Sequence, residues 1–264
     1  MKKNYETLLV KIIKRHILIV TFNRPEVANA FNTIMSKELT SLIEDISMDP
    51  KSIRSIIFTG YGNKAFCAGG DLKERNGMTD YEWEKQHLVY EKMIRVIIDC
   101  PIPIIGAING AAYGGGCEIA AALDFVYVSE NARFALPELQ LGIIPGAGGT
   151  QNLSRAVGER KAKEIILSGK PFSAQEAVNW RLANEIFPSE DLLDKTIEVA
   201  ELISSKAPIA VRQAKKSIHK GLQMSLIDGL SFEIEAYNRT IPTKDRKEGV
   251  SAFNEKRNPK FIGK

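Results

Sequence analysis

The stretch from Pro101 to Phe125, PIPIIGAINGAAYGGGCEIAAALDF, most limits what this chain can fold into. Its first half is an apolar run opened by two prolines and broken by Gly106 and Gly110, the pattern of a buried strand entering a glycine-rich turn. Its second half, Gly115 to Leu123, is rich in alanine and carries a single carboxylate, Glu118. That pattern predicts a buried helix with one ionisable group in its first turn. Gly114, Gly115 and Gly116 remove every Cβ where the helix begins. Two uses fit such a run: tight packing of helix on strand, or free N–H groups that approach a ligand oxygen and favour negative charge there.

Two further segments have the same character. In ARFALPELQLGIIPGAGGTQ, residues 132 to 151, Glu138 follows Pro137 among apolar neighbours, and a carboxylate so placed is paired, caps a helix or is catalytic. The PGAGGT run then opens another helix with another cluster of unencumbered amides. In GYGNKAFCAGGDLKER, residues 60 to 75, small residues at 68 to 70 expose backbone amides, and Asp71 suits the cap of the turn that follows. An ordinary surface loop fits that last segment as well.

The remaining pattern is mixed. Leu8 to Ile13 and Ile17 to Phe22 read as a hairpin, and Pro25 stops the second strand in NRPEVANAFN, residues 23 to 32. There Asn23 and Asn29 offer hydrogen bonds to a bent backbone. Ile34, Leu39, Leu42, Ile43 and Ile46 follow helical spacing, Ile56 to Thr59 is a short strand, and a long helix covers about Asp80 to Ile98. Phe125 begins another strand, FVYVSE. From Ser154 onward only helices are expected, at about 159–168, 173–180, 190–205, 208–220, 225–238 and 243–254. The class is α/β, divided softly into residues 1–200 and a helical section, 201–264.

With 264 residues, 44% hydrophobic and 26% charged, the chain has ordinary globular composition and room for one well-buried domain. The charge balance, 36 − 32 = 4, suits an anionic small ligand and falls short of a nucleic-acid footprint. Three cysteines, at 67, 100 and 117, with no CxxC pair, suggest neither a disulfide framework nor a zinc site. His16 lies between strands, and His87 and His219 fall in helical patterns far from the glycine-rich stretches, so a Ser-His or His-metal mechanism has little to use. The N-terminus is charged throughout its apolar part and no run has membrane-spanning length, which leads to the expectation of a cytoplasmic protein without metal or membrane partner.

The pieces NRPEVANA, KAFCAGGDLKE, INGAAYGGGCEIA, FALPELQLGIIPGAGGTQ and AFNEKRNPKF stand in this order along nearly the whole chain. Together they resemble the crotonase, or enoyl-CoA hydratase/isomerase, superfamily. The resemblance implies a spiral of strand-strand-helix turns and C-terminal helices that build homotrimers, commonly paired into hexamers. It implies an acyl-CoA thioester as ligand, with coenzyme A entering only as part of the substrate and no further cofactor. By motif position the oxyanion-hole amides fall on Gly70 and Gly115, and the hydratase glutamates on Glu118 and Glu138. Glu118 is assigned mainly to the water and Glu138 mainly to proton transfer at Cα. Gly146 takes the place of an amide that orients the Glu118 carboxylate or the water. Coenzyme A contacts fall on Val27, Ala28, Ala68, Asp71 and Leu72. Glu26 stands where many relatives carry a lysine near the phosphates, a role that Lys73, or Phe261 and Lys264 of a neighbouring subunit, could fill.

LKERNGM and the C-terminal YNRTIPTKDRKEGVSAFNEKRNPKFIGK look like the methylglutaconyl-CoA hydratase branch, some of whose members also bind AU-rich RNA. Residues 36 to 54 match the RNA-associated helix poorly, with Lys37, Lys51 and Arg54 set against Glu38, Glu44, Asp45 and Asp49, so no nucleic-acid partner is expected. The leading expectation is a 2-enoyl-CoA hydratase. Its rivals are a hydratase of 3-methylglutaconyl-CoA, an enoyl-CoA isomerase, and an acyl-CoA- or RNA-binding member with minor activity. Residues 75 to 90, with Met78, Trp83 and Tyr90, are where acyl length would be read, although Met78, Trp83 and Met93 fit plain core equally well.

Overall fold

The computed structural model describes residues 4–264. The chain opens with β1 (Leu8–Ile13) and β2 (Ile17–Phe22), an antiparallel hairpin, followed by α1 (Thr33–Met48) and β3 (Ser55–Gly60). Next come β4 (Ala65–Cys67), α2 (Leu72–Arg75), α3 (Asp80–Asp99), β5 (Ile104–Ile108), β6 (Ala111–Tyr113) and α4 (Gly115–Ala122). Then follow β7 (Phe125–Ser129), β8 (Arg133–Ala135), α5 (Gly149–Val157), α6 (Glu159–Ser168), β9 (Phe172–Ser173), α7 (Ala174–Asn179) and β10 (Glu185–Phe187). Four helices close the chain: α8 (Leu192–Ser204), α9 (Pro208–Gly221), α10 (Leu226–Asn238) and α11 (Lys244–Asn254).

The strands form two sheets. The larger has the order β1-β2-β3-β5-β7-β10 and is parallel from β2 onward. The smaller has the order β4-β6-β8-β9, with only β9 antiparallel. The first unit puts both its strands in the larger sheet, and the pairs β3-β4, β5-β6 and β7-β8 each add one strand to each sheet before a helix returns the chain. Both faces of the larger sheet are covered, which is why β3 and β5 are buried along their whole length and read as continuous apolar runs. Alternate residues divide between the faces: Leu18, Val20, Ile56 and Phe58 join α1 and α3, whereas Ile17, Ile19 and Ile57 meet Leu192 and Ala200 of α8.

Local chemistry fixes the helix starts. Asn32 accepts the Met35 N–H at 2.9 Å to cap α1, and Thr79 with Glu82 forms a capping box on α3. Asn29, in its bend, accepts the Arg24 amide and donates to the carbonyls of Tyr61 and Ala65. The expectation of helices alone after Ser154 is corrected by β9 and β10. These are two and three residues long, too short to show alternation, and they exist because β8 and β7 supply the partner edges.

The last three helices are different in character. α9 has no buried residue and α10 buries only Ala236, while Leu222, Leu226, Ile227, Leu230, Ile234 and Phe253 are exposed. The tail beyond α11 is tied back: Arg54 donates to the Phe261 carbonyl, and the Asp245 carboxylate accepts the Ile262 and Gly263 amides. All three cysteines are buried, and burial pushes their thiols up, to about 12 for Cys67. Among the described residues no helix is long and apolar enough to cross a membrane.

Candidate active site

The β4-to-α2 loop and the start of α4 come together because β4 and β6 are parallel neighbours whose C-terminal ends lead into these two segments. Gly116 allows the contact: a Cβ there would stand 1.9 Å from the Cys67 carbonyl oxygen. Phe31 bridges to Gly70 in parallel fashion, accepting the Asp71 amide and donating to the Gly69 carbonyl. Those bonds turn the Gly70 N–H to the side opposite Phe31. Gly115, the first residue of α4, has no acceptor for its N–H within the helix. Its nitrogen lies 3.0 Å from where a Cβ on Gly69 would stand, so the two amide-bearing segments are in contact. Both Gly70 and Gly115 line a cavity of about 790 Å³.

Glu118 and Glu138 line the same cavity. Glu118, one turn into α4, is 3% exposed, and its Oε1 accepts the amides of Ala147 and Gly149 at 2.8 and 2.7 Å. Burial raises its pKa to about 7, with the charge of Glu138 adding and the two amide bonds opposing. Glu138 follows the β8 strand at the start of a short 3-10 turn and is 8% exposed. Neither of its carboxylate oxygens has a hydrogen-bond partner, and burial raises its pKa as well. Among the described residues no cation forms an ion pair with either glutamate. Two buried carboxylates without a cation partner in one cavity cannot both ionise cheaply at neutral pH, so the pair can hold an acid and a base together.

The Gly146 expectation is corrected for the carboxylate: the Ala147 and Gly149 amides hold Glu118, and Gly146 instead packs against the His87 ring in the cavity wall. The sequence did show the donor cluster, PGAGGT, but not which of its amides turn inward. His87, expected far from the glycine-rich stretches, lies in the cavity because α3 runs past the 145–149 loop. Trp83 lines the cavity too, whereas Met93 belongs to the core. Sequence reasoning missed Arg75, whose buried guanidinium is also in the wall, 4.2 Å from the Trp83 ring centre and 4.9 Å from that of Tyr90.

Of the other expected positions, Ala68 and Leu72 line the cavity. Val27 and Ala28 do not line it, although the Ala28 carbonyl accepts the amide of the lining residue Ala68 at 3.0 Å. Asp71 caps α2 through Lys73 and Glu74 and pairs with Arg24 at 2.9 Å. These contacts outweigh its burial and hold its carboxyl below the usual range. Lys73 is exposed on α2 and does not line the cavity, but borders a shallower hollow beside it. Phe261 and Lys264 do not line the cavity of their own chain; their carbonyls face Arg54 and Asp245.

Comparison with known proteins gives the same picture along the chain. The sequence model of the enoyl-CoA hydratase/isomerase family matches residues 13–264. The chain is 40% identical to the short-chain-enoyl-CoA hydratase of Clostridium acetobutylicum, over 91% of this chain and 92% of that protein. It is 39% identical to the mitochondrial enoyl-CoA hydratase of Pongo abelii, over 92% of this chain and 82% of that one. The crystal structure of an enoyl-CoA hydratase from Bacillus anthracis superposes with a TM-score of 0.96 at 42% identity, covering 98% of this chain and all of that chain. With its two-sheet spiral and its match across almost the full sequence, the chain belongs to the enoyl-CoA hydratase/isomerase family.

Proposed function

We propose that the protein is a 2-enoyl-CoA hydratase, adding water reversibly across the α,β-double bond of a thioester to give a 3-hydroxyacyl-CoA. The observation that carries this reading is the pair of buried glutamates, one anchored by two amides and the other without a partner, in a cavity that Gly70 and Gly115 also line. The thioester oxygen sits between the Gly70 and Gly115 N–H groups. As water attacks C3, charge moves onto that oxygen, and fixed donors together with the α4 N-terminus stabilise the enolate. Ionised Glu118 takes a proton from the water, and protonated Glu138 delivers one to C2. The pair resets when the proton gained by Glu118 passes to Glu138. No electrons are gained or lost overall, so the reaction calls for no redox cofactor, and coenzyme A enters only as part of the substrate.

Coenzyme A is held along the rim by Val27, Ala28, Ala68, Asp71 and Leu72, with Lys73 facing the phosphates. Phe261 and Lys264 join only from a neighbouring subunit. The exposed apolar faces of α10 and α11 support self-association, read as a homotrimer or two trimers paired. A cytoplasmic location belongs to the same reading.

The test is loss of the enoyl-thioester absorbance of crotonyl-CoA on adding the protein. Glu118→Gln and Glu138→Gln are each expected to lower kcat by ~100-fold or more. An isomerase would survive the loss of one of the two, so turnover by either variant within a few fold of wild type would overturn the two-carboxylate mechanism.

A further inference from the structure

Arg75 is 8% exposed, its Nε donates to Gln86 Oε1 at 2.8 Å, and its Nη2 is buried without a hydrogen-bond partner. Among the described residues no carboxylate forms an ion pair with it. The neighbouring Glu74 is already engaged, accepting from the Thr33 amide, Gln86 and Tyr90. A guanidinium cannot shed its proton at ordinary pH, so this is a buried cation with unspent donor capacity. The wall of the cavity also holds the carboxylates of Glu84, Glu118 and Glu138, but none of them forms an ion pair with Arg75, and Glu84 is exposed, while Trp83, Leu88, Leu141, Ile143 and Ile144 supply apolar surface. A purely apolar acyl tail would leave the Nη2 edge unpaired and dry, an arrangement native proteins avoid.

Resting on the hydratase reading, we propose that Arg75 is a specificity residue and that the preferred substrates are enoyl-CoA thioesters whose acyl chain ends in a carboxylate. A carboxylate fits the guanidinium fork, neutralises the charge and fills the unused donor. Trp83, half-buried over one face of the guanidinium, and Tyr90 on another fix its plane. The phosphates of coenzyme A are a second source of anionic oxygen: Arg75 also borders the shallower hollow beside Lys73, although Lys73 is exposed there and Arg75 is buried.

Binding separates these sources, because glutaryl-CoA and valeryl-CoA share the coenzyme and acyl carbon count and differ only in the terminal carboxylate. Calorimetry on the wild-type protein is expected to show glutaryl-CoA bound at least ~10-fold more tightly. In Arg75→Gln that ratio should fall below ~3, and Arg75→Lys, which keeps the charge but not the fork, should lie between. A wild-type ratio near one, or a ratio unchanged in folded Arg75→Gln, overturns the proposal. Should Arg75→Gln fail to fold, the wild-type ratio and the Arg75→Lys ratio decide it. Turnover of glutaconyl-CoA and 2-pentenoyl-CoA is read separately: hydration of neither removes the hydratase reading, while the binding ratio still judges Arg75.

Discussion

Glu118 has an ordinary carboxyl value of 4.5 and a folded value of about 7, and the sign of its effect on stability follows from that order. Folding favours the protonated form, so between about pH 4.5 and 7 the native state holds more protons than the unfolded chain. The stabilisation is fully present below pH 4.5 and is lost as pH rises through 7. Glutamine at 118 has nothing to titrate. Urea unfolding should therefore show Glu118→Gln gaining on wild type by up to about 3 kcal/mol across this window. A gap that stays flat with pH would mean that the carboxylate is not desolvated. Under the proposed mechanism one glutamate must be ionised and the other protonated, so kcat/KM is expected to be bell-shaped, with its acid limb near 7 rather than near 4.5.

Among the elements, the join of β4 to α4 carries the site. Adding a methyl group at Gly116 drives it into the Cys67 carbonyl, which belongs to a sheet and cannot withdraw. Gly116→Ala is expected to cost about 3 kcal/mol or more, read as a fall in the urea midpoint, and to lower activity in the fraction that still folds. The glycine-rich start of α4 was visible in the sequence because Gly114 to Gly116 and the apolar run before them are local signals, whereas its contact with Cys67 was not. The long helices were visible for the same reason, since Leu39, Leu42, Ile43 and Ile46 repeat at helical spacing within one element. What is made by contact between distant segments was hidden. β10 forms only against β7, His87 meets Gly146 across 59 residues, and Arg75 becomes a wall residue only once α3 lies beside it. LKER alone says nothing about burial.

For the whole molecule, the contrast between the core and α9 to α11 points to self-association, and the proposed trimer gives it a testable size. Leu226 and Ile227 are 78% and 77% exposed, and neighbouring Leu222 and Leu230 extend the apolar surface. Water contact over such an area favours association. Light scattering should give three or six times the chain mass of 29.3 kDa, and the double change Leu226→Glu with Ile227→Glu should shift the protein toward one chain mass. A monomeric wild type would refute the trimer. The buried cysteines bear on experiments of another kind. With Cys67, Cys100 and Cys117 closed off from water and their thiols held protonated, thiol-directed reagents find no accessible thiolate on the folded protein. A fluorophore can therefore be attached at a cysteine introduced on the surface, with all three native ones left in place.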